Sequence, residues 1–437
     1  MKNYSILIGI LAFLNSPILG QKIHSSFTHP KMDTLWIKNL FRAHKSEFGS
    51  ILADTQKLEV QIIYTQINRD KNNHPHFKRF SYQLNPRNYF YPASTVKLPL
   101  TALALEAIQK LRDFGLRAGS HMHTDSAFRK EIRQYQDTSS INHEPSLAQY
   151  IREILLVSDN NAYNRLYEFL GPDYINKALH QKGFPSAQII HRLEVGDDSI
   201  QARTLNPIQF LNRDDSLLKF PLRLNSKPQL GYFYNTLKGK GYFQYHGNDS
   251  LLVLKPFNFR GKNGISLEDE QNILMSIVFP GYSPTIGFQL TDENRKFLLK
   301  YMSMFPRESH HPYYPASKYP DNYGKYILYG SDSALQIPKS IRIFNKIGQA
   351  YGYLIDNAYV VDFSKKIEFI VSVVINTNID QIYNDNKYAY STLGYPFMRN
   401  LGKYLYESEL KRKRTYIPNL EEFKMDYSKE DEANFNP

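Results

Sequence analysis

Apolar, β-branched runs sit near both ends of the chain, with a helical block between them. KLEVQIIYTQIN at 57–68 alternates apolar and polar residues and predicts a strand. HFKRFSYQL at 76–84, beyond the polar loop RDKNNHPH, predicts its hairpin partner. Far downstream, IRIFNKIG, YGYLIDNAYVVDF and KIEFIVSVVIN form a second apolar series that ends at about residue 376. Between them, apolar residues recur at helical spacing from Val96 to Leu111, in SLAQYIREILLV (146–157) and in NAYNRLYEFL (161–170). Gly171-Pro172 stops the last of these, and further helices follow at 293–305 and in YSTLGYPFMRNLGKYLYES. Terminal strands of this kind pair into one sheet against the first and last helices, leaving the middle helices as a second lobe. The expected class is α/β (α+β): an antiparallel sheet of N- and C-terminal strands flanked by helices, plus an all-helical lobe.

With 437 residues, 42% apolar and 22% charged, the chain can bury a large core. It has no Cys, which removes thiol catalysis, disulfides and cysteine-based metal sites. The net charge of +12 raises nucleic acid or an anionic surface as a partner, but the cations are scattered. The one dense run, Lys411 to Arg414, lies beside an acidic EDE at 430–432 and reads as a solvated tail, so no nucleic acid partner is expected. His121 with His123, and His310 with His311, lack the company of a zinc site. KGKG lacks the flanks of a phosphate loop, so neither metal nor cofactor is expected. MKNYSILIGILAFLNSPILG reads as a signal peptide with cleavage after Gly20, the alternative being an uncleaved anchor. No other apolar run reaches about 18 residues, so no stable membrane insertion is expected after cleavage. The expected location is periplasmic or extracellular. The organisation reads as signal peptide 1–20, N-terminal extension 21–44, main domain 45–412 and charged tail 413–437. Within the main domain the helical lobe spans about 100–213 and an insertion about 214–290.

Three short motifs carry the chemistry. FYPASTVKLP at 90–99 places Ser94 and Lys97 three apart at the mouth of a helix, on one face. A buried lysine of lowered pKa can take a serine's proton, and a helix N-terminus favours developing negative charge. The competing reading is a capping serine with a solvated lysine. A second S-x-x-K occurs at Ser408 to Lys411, without company. Ser158-Asp159-Asn160 is a polar triplet wedged between two helices, able to present a hydroxyl and an amide to a cleft or simply to cap a helix. Lys346-Ile347-Gly348 lies on a strand, where lysine can hold an anionic group and glycine admits close backbone approach. Lys262-Asn263-Gly264 repeats the pattern in a polar loop.

In this order, S-x-x-K, S-D-N and K-x-G resemble the class A β-lactamase and penicillin-binding-protein superfamily. Ser94 to Ser158 is 64 residues and Ser158 to Glu194 is 36, both similar to class A spacing. Glu194 in HRLE resembles the R-x-E of the class A Ω-loop, and the likeness covers roughly 45–213 and 290–408. The resemblance implies an acyl-enzyme on Ser94, Lys97 as base, Ser158 as proton relay and Glu194 as activator of the deacylating water. It further implies substrate binding by Asn160, Lys346 and Gly348, with the backbone N–H groups of Ser94 and Gln349 as oxyanion hole. Ile347 stands where the family has a hydroxyl, and VGDDSIQ, with Asp198, replaces the usual P-E-L-N. The function implied is a monomeric exported serine hydrolase acting on a β-lactam or related amide. The alternatives are a D,D-peptidase or esterase acting on cell-wall peptides or esters, and a non-catalytic envelope binding protein.

Overall fold

The computed structural model describes residues 32–435 except 127–131, 197–199, 212–216, 229, 247–248, 284, 430 and 432–434. The signal peptide therefore lies outside the described residues. A five-stranded antiparallel sheet forms the centre. Its strands are β1 (Gln61–Arg69), β2 (Pro75–Tyr82), β5 (Ile341–Ala350), β6 (Tyr353–Asp362) and β7 (Ile367–Asn376), in the order β5-β6-β7-β1-β2. Strand β1 bridges the two ends of the chain, pairing antiparallel with β7 from Gln61↔Val374 and with β2 from Ile62↔Tyr82. All ten residues of β6 and of β7 are buried, because helices cover both faces of the sheet.

On one face lie α1 (Leu35–Ala43), α2 (Lys45–Ala53) and α9 (Tyr395–Lys411). Ile37, Phe41, Phe48, Phe397, Leu401 and Leu405 pack there with Ile62, Tyr64 and Val373 of the sheet. The other face meets α3 (Lys97–Lys110), whose residues are buried from Lys97 through Ile108 and whose apolar side chains point all round. Helices α4 (Leu147–Val157), α5 (Asn160–Leu170) and α6 (Pro172–Gln181) surround α3 as the second lobe, with α8 (Asp292–Ser303) alongside. A side ribbon of β3 (Gly241–His246) and β4 (Asp249–Val253) attaches to Ile382–Tyr383.

Three expected boundaries move. First, the domain begins before residue 45: α1, within the expected extension, buries Ile37 and Phe41 completely. Second, residues 214–290 are not one appended piece. Helix α7 (Leu267–Val278) is core, and its Gln271 amide donates to the Ile63 carbonyl and the Ser372 hydroxyl while its oxygen accepts from Thr65. An amphipathic helix inside a polar-looking stretch is hard to separate from its loops by composition, so only the ribbon region is peripheral.

Third, the tail is not a solvated run. Arg412 and Arg414 clamp the buried Glu409, which also accepts from the Tyr64 hydroxyl. Beyond them, Leu420 and Phe423 are fully buried, and Phe435 stacks on Phe297 at 4.0 Å. Asp431 binds Arg152 at 3.0 Å and Lys300 at 2.9 Å, tying the chain end to α4 and α8. Opposite charges that look solvated in sequence are here neutralised in pairs.

Candidate active site

The S-x-x-K segment forms a short 3-10 turn, Ala93–Val96, that runs into α3 at Lys97. Ala93 sits at φ 49°, in the left-handed region that a side chain adopts only at a cost of about 1–3 kcal/mol. The surroundings enforce it. Thr95 donates to the Pro92 carbonyl through its N–H at 3.1 Å, and its hydroxyl oxygen lies 2.8 Å from the same atom. Strand β5 presses on the same carbonyl: a Cβ on Gly348 would stand 2.4 Å from the Pro92 oxygen and 3.1 Å from Thr95 Cγ2. Gly348 was expected to admit substrate; what it admits is the backbone of the nucleophile's own turn. Ser94 is half-buried, and its hydroxyl makes no hydrogen bond among the described residues.

The helix α4 ends at Ser158, which adopts φ 63° and ψ 39°, a C-terminal turn in which Ser158 N–H and Asp159 N–H bond back to Ile154 and Glu153. Asp159 then caps α5 by accepting from the Ala162 N–H at 2.8 Å, so Asn160 becomes the first helical residue. Both readings of the triplet thus hold together: Asp159 is the cap, and the cap aims the residues on either side of it.

Those neighbours meet Lys97. Its Nζ donates to Asn160 Oδ1 at 2.6 Å and to the Ser158 carbonyl at 2.5 Å, and lies 3.3 Å from Ser158 Oγ. Lys97 is completely buried, and desolvation lowers its pKa to about 7 against the opposing charges of Asp159 and Glu194. A lysine so placed is a base near neutrality. Lys346 Nζ donates to Ser158 Oγ at 2.7 Å. Burial, then the nearby Lys97 and Lys325, push Lys346 well below the ordinary lysine range. Because the Ser158 oxygen accepts from lysine, its own proton stays available to donate outward.

Behind this network lie buried groups that no local motif announced. The Glu270 carboxyl of α7 meets the Thr95 hydroxyl. That hydroxyl has one proton for two oxygens, Pro92 and Glu270, so a neutral Glu270 that supplies its own proton satisfies both. Burial raises the pKa of Glu270 to about 8, consistent with that state. On the far side of Lys346, Lys325 donates to the Met302 and Ile343 carbonyls and to Asn345 Oδ1, and Asn345 in turn donates to Asp356 at 2.7 Å. Desolvation brings Lys325 down to about 7 and Asp356 up to about 6. These residues come from a helix, a loop and strand faces remote in sequence, where only the fold assembles them.

The remaining expected residues add no side-chain hydrogen bond to this network among the described residues. Gln349, expected to lend its backbone N–H, follows Gly348 on β5; its side chain is exposed, and the side-chain oxygen accepts from the hydroxyls of Tyr326 at 2.9 Å and Tyr395 at 2.7 Å. The Ile347 side chain packs against the apolar cluster on the α1/α9 face of the sheet. Glu194 is exposed, with φ 61°; it is close enough for its charge to act on Lys97 and Tyr91, yet it makes no hydrogen bond among the described residues. Asp198 lies outside the described residues. Among the described residues no group of three or more His, Asp or Glu could hold a metal ion.

A family model described as "Beta-lactamase enzyme family" matches residues 44–214, a span that holds Ser94, Lys97, Ser158, Asn160 and Glu194. The chain is also similar to solved β-lactamase structures. One, a β-lactamase from Xanthomonas campestris, is 12% identical at a TM-score of 0.46, the match covering 84% of this chain and 98% of that one. A class A β-lactamase from Clostridium kluyveri is 14% identical at 0.45, covering 84% and 98%. A β-lactamase from Burkholderia phymatum is 12% identical at 0.44, covering 85% and 99%. No curated protein matches in sequence. The sheet order and the family match agree with the β-lactamase/transpeptidase-like fold read from the motifs.

Proposed function

We propose that the chain is an exported serine hydrolase that forms an acyl-enzyme on Ser94 with a β-lactam or related carboxylate-bearing amide. The observation that carries this reading is the polar network of Lys97, Ser158, Asn160 and Lys346, in which Lys97 stands three residues along the chain from Ser94, whose hydroxyl makes no hydrogen bond among the described residues. Neutral Lys97 takes the Ser94 proton as the oxygen attacks the carbonyl carbon. The tetrahedral oxyanion faces the backbone N–H groups of Ser94 and Gln349. Collapse breaks the carbon–nitrogen bond, and Ser158 passes its proton to the leaving nitrogen while drawing one from the adjacent ammonium. Lys346 supplies positive charge for the substrate carboxylate. Water, activated by Glu194, then hydrolyses the ester. Export is supported by the apolar first twenty residues.

A second reading is favoured by Ile347 and by Glu194. With no hydroxyl at position 347 and an exposed, unengaged carboxylate, the acylation half is better built than the deacylation half. A D,D-peptidase or esterase with slow release fits that imbalance. The test is incubation of the mature protein with a fluorescent penicillin, read by intact mass. An adduct that disappears in Ser94→Ala supports acylation; no adduct on the unaltered protein rejects the β-lactam reading and leaves the non-catalytic binding protein. Rapid turnover of a chromogenic cephalosporin that collapses in Glu194→Gln favours the hydrolase over the slow-release enzyme.

A further inference from the structure

The ribbon β3–β4 exposes apolar side chains that nothing among the described residues covers. Leu251 is 61% exposed, Leu252 42%, Leu254 75% and Tyr245 56%. The register pairs Leu251 with Gln244 and Leu252 with Phe243, so Leu251 and Leu252 point to opposite faces of the ribbon. Strand β4 is also the outer edge of its sheet, which runs β4, β3, then Ile382–Tyr383. Apolar groups on both faces of an edge are covered together only by a medium that surrounds the edge. A folded protein surface laid against one face leaves the other wet.

Charge points the same way. Lys240, Lys255 and Arg260 are exposed at the base of the ribbon, and Asp249 is the one acidic residue between 217 and 262. The whole chain carries +12. An apolar edge with three cations at its base and a tyrosine among its apolar groups is complementary to an anionic lipid headgroup layer, the acidic Asp380 and Asp385 flanking the strand at the opposite edge of the sheet. The backbone edge of β4 keeps its unpaired polar groups, so the ribbon rests at headgroup depth, where water still reaches it, rather than in hydrocarbon.

We propose that the β3–β4 ribbon docks the protein peripherally on an anionic membrane surface. From the ribbon, Tyr242 packs on Phe257 at 5.2 Å, Phe257 on Tyr351 at 5.8 Å and Tyr351 at 5.0 Å on Tyr91, two residues before the turn that carries Ser94. Docking therefore holds the cleft near the membrane plane, within reach of substrates carried there.

The experiment is co-sedimentation of the mature chain with phosphatidylcholine vesicles, with and without phosphatidylglycerol, at low and physiological salt. Binding is expected only to the phosphatidylglycerol vesicles, weakening with salt. Leu251→Ser/Leu252→Ser/Leu254→Ser and Lys240→Glu/Lys255→Glu should each weaken it by roughly tenfold or more, with thermal melting unchanged because every altered side chain is exposed. Failure to bind at low salt overturns the proposal. So does equal binding to phosphatidylcholine alone, or unaltered binding by the leucine variant. Sedimentation velocity supplies a further overturning result: self-association without vesicles that the leucine variant abolishes would make a second copy of the chain the occupant.

Discussion

The chain contains S-x-x-K twice, and the two copies show what surroundings do to identical spacing. Ser408 lies inside α9, where its hydroxyl donates to the Tyr404 carbonyl one turn back at 2.7 Å. Lys411 ends that helix in solvent. Ser94 opens a helix behind a strained residue, with its hydroxyl unengaged, and Lys97 is stripped of water and held by Asn160 and Ser158. The motif fixes only that two side chains share a face. Burial lowers the pKa of one lysine and a strained turn carries one serine, and the proposed acylation at Ser94 rests on that difference.

The sharpest way to break the contrast is to remove each serine. Ser94→Ala should lower the rate of acylation by roughly 10³-fold or more, and Ser408→Ala should leave it unchanged, both read by the fluorescent-penicillin adduct. Next comes the lysine pair. Lys97→Met should lose roughly 10²–10⁴-fold in acylation, while Lys411→Met loses nothing. In the unaltered protein the protonated form of Lys97 cannot accept the serine's proton. Its acylation rate should therefore fall as pH drops below about 7 and level off above it. A rate that is flat from pH 5 to 9 would remove Lys97 as the base.

Smaller effects probe the turn that separates the copies. Gly348→Ala drives a methyl to 2.4 Å from the Pro92 oxygen. It should cost about 1–3 kcal/mol of stability by displacing β5 from the turn, visible as a lowered melting temperature together with slowed acylation. Glu270→Gln should cost under about 1 kcal/mol, because an amide N–H replaces the carboxyl proton facing Thr95. It should also change a slope. The folded state holds the Glu270 proton up to about 8 whereas a free glutamate loses it near 4.5, so that contribution is full below 4.5 and disappears as pH rises through about 8. The glutamine variant should lack this decline in urea titrations across that range.

Much of the fold was legible because its signals are local and periodic. The terminal strands, the helix from Val96 and the helix pair around Ser158 each announce themselves in spacing. The network of Lys97, Ser158, Asn160 and Lys346 was legible because short motifs mark each of those side chains in order. Glu270, Lys325 and Asp356 were not, since a buried charge looks in sequence like any surface charge until its neighbours are known. The same ambiguity hid the tail. Arg412, Arg414 and Asp431 read as solvated because their partners Glu409, Arg152 and Lys300 lie elsewhere in the chain or are themselves unremarkable. The close packing of Gly348 on the Pro92 carbonyl was not legible, because spacing cannot say which backbone comes close.

The seating of the chain end has a consequence in time. The helix that terminates at Ser158 receives the partners of Arg152, Asp431 and the Phe435 carbonyl, from residues synthesised 279 and 283 positions later. Strand β1 likewise waits for β7 before the sheet can close around it. A chain still emerging thus carries Ser94 and Lys97 long before it carries the strand and the acidic partner that hold their surroundings in place.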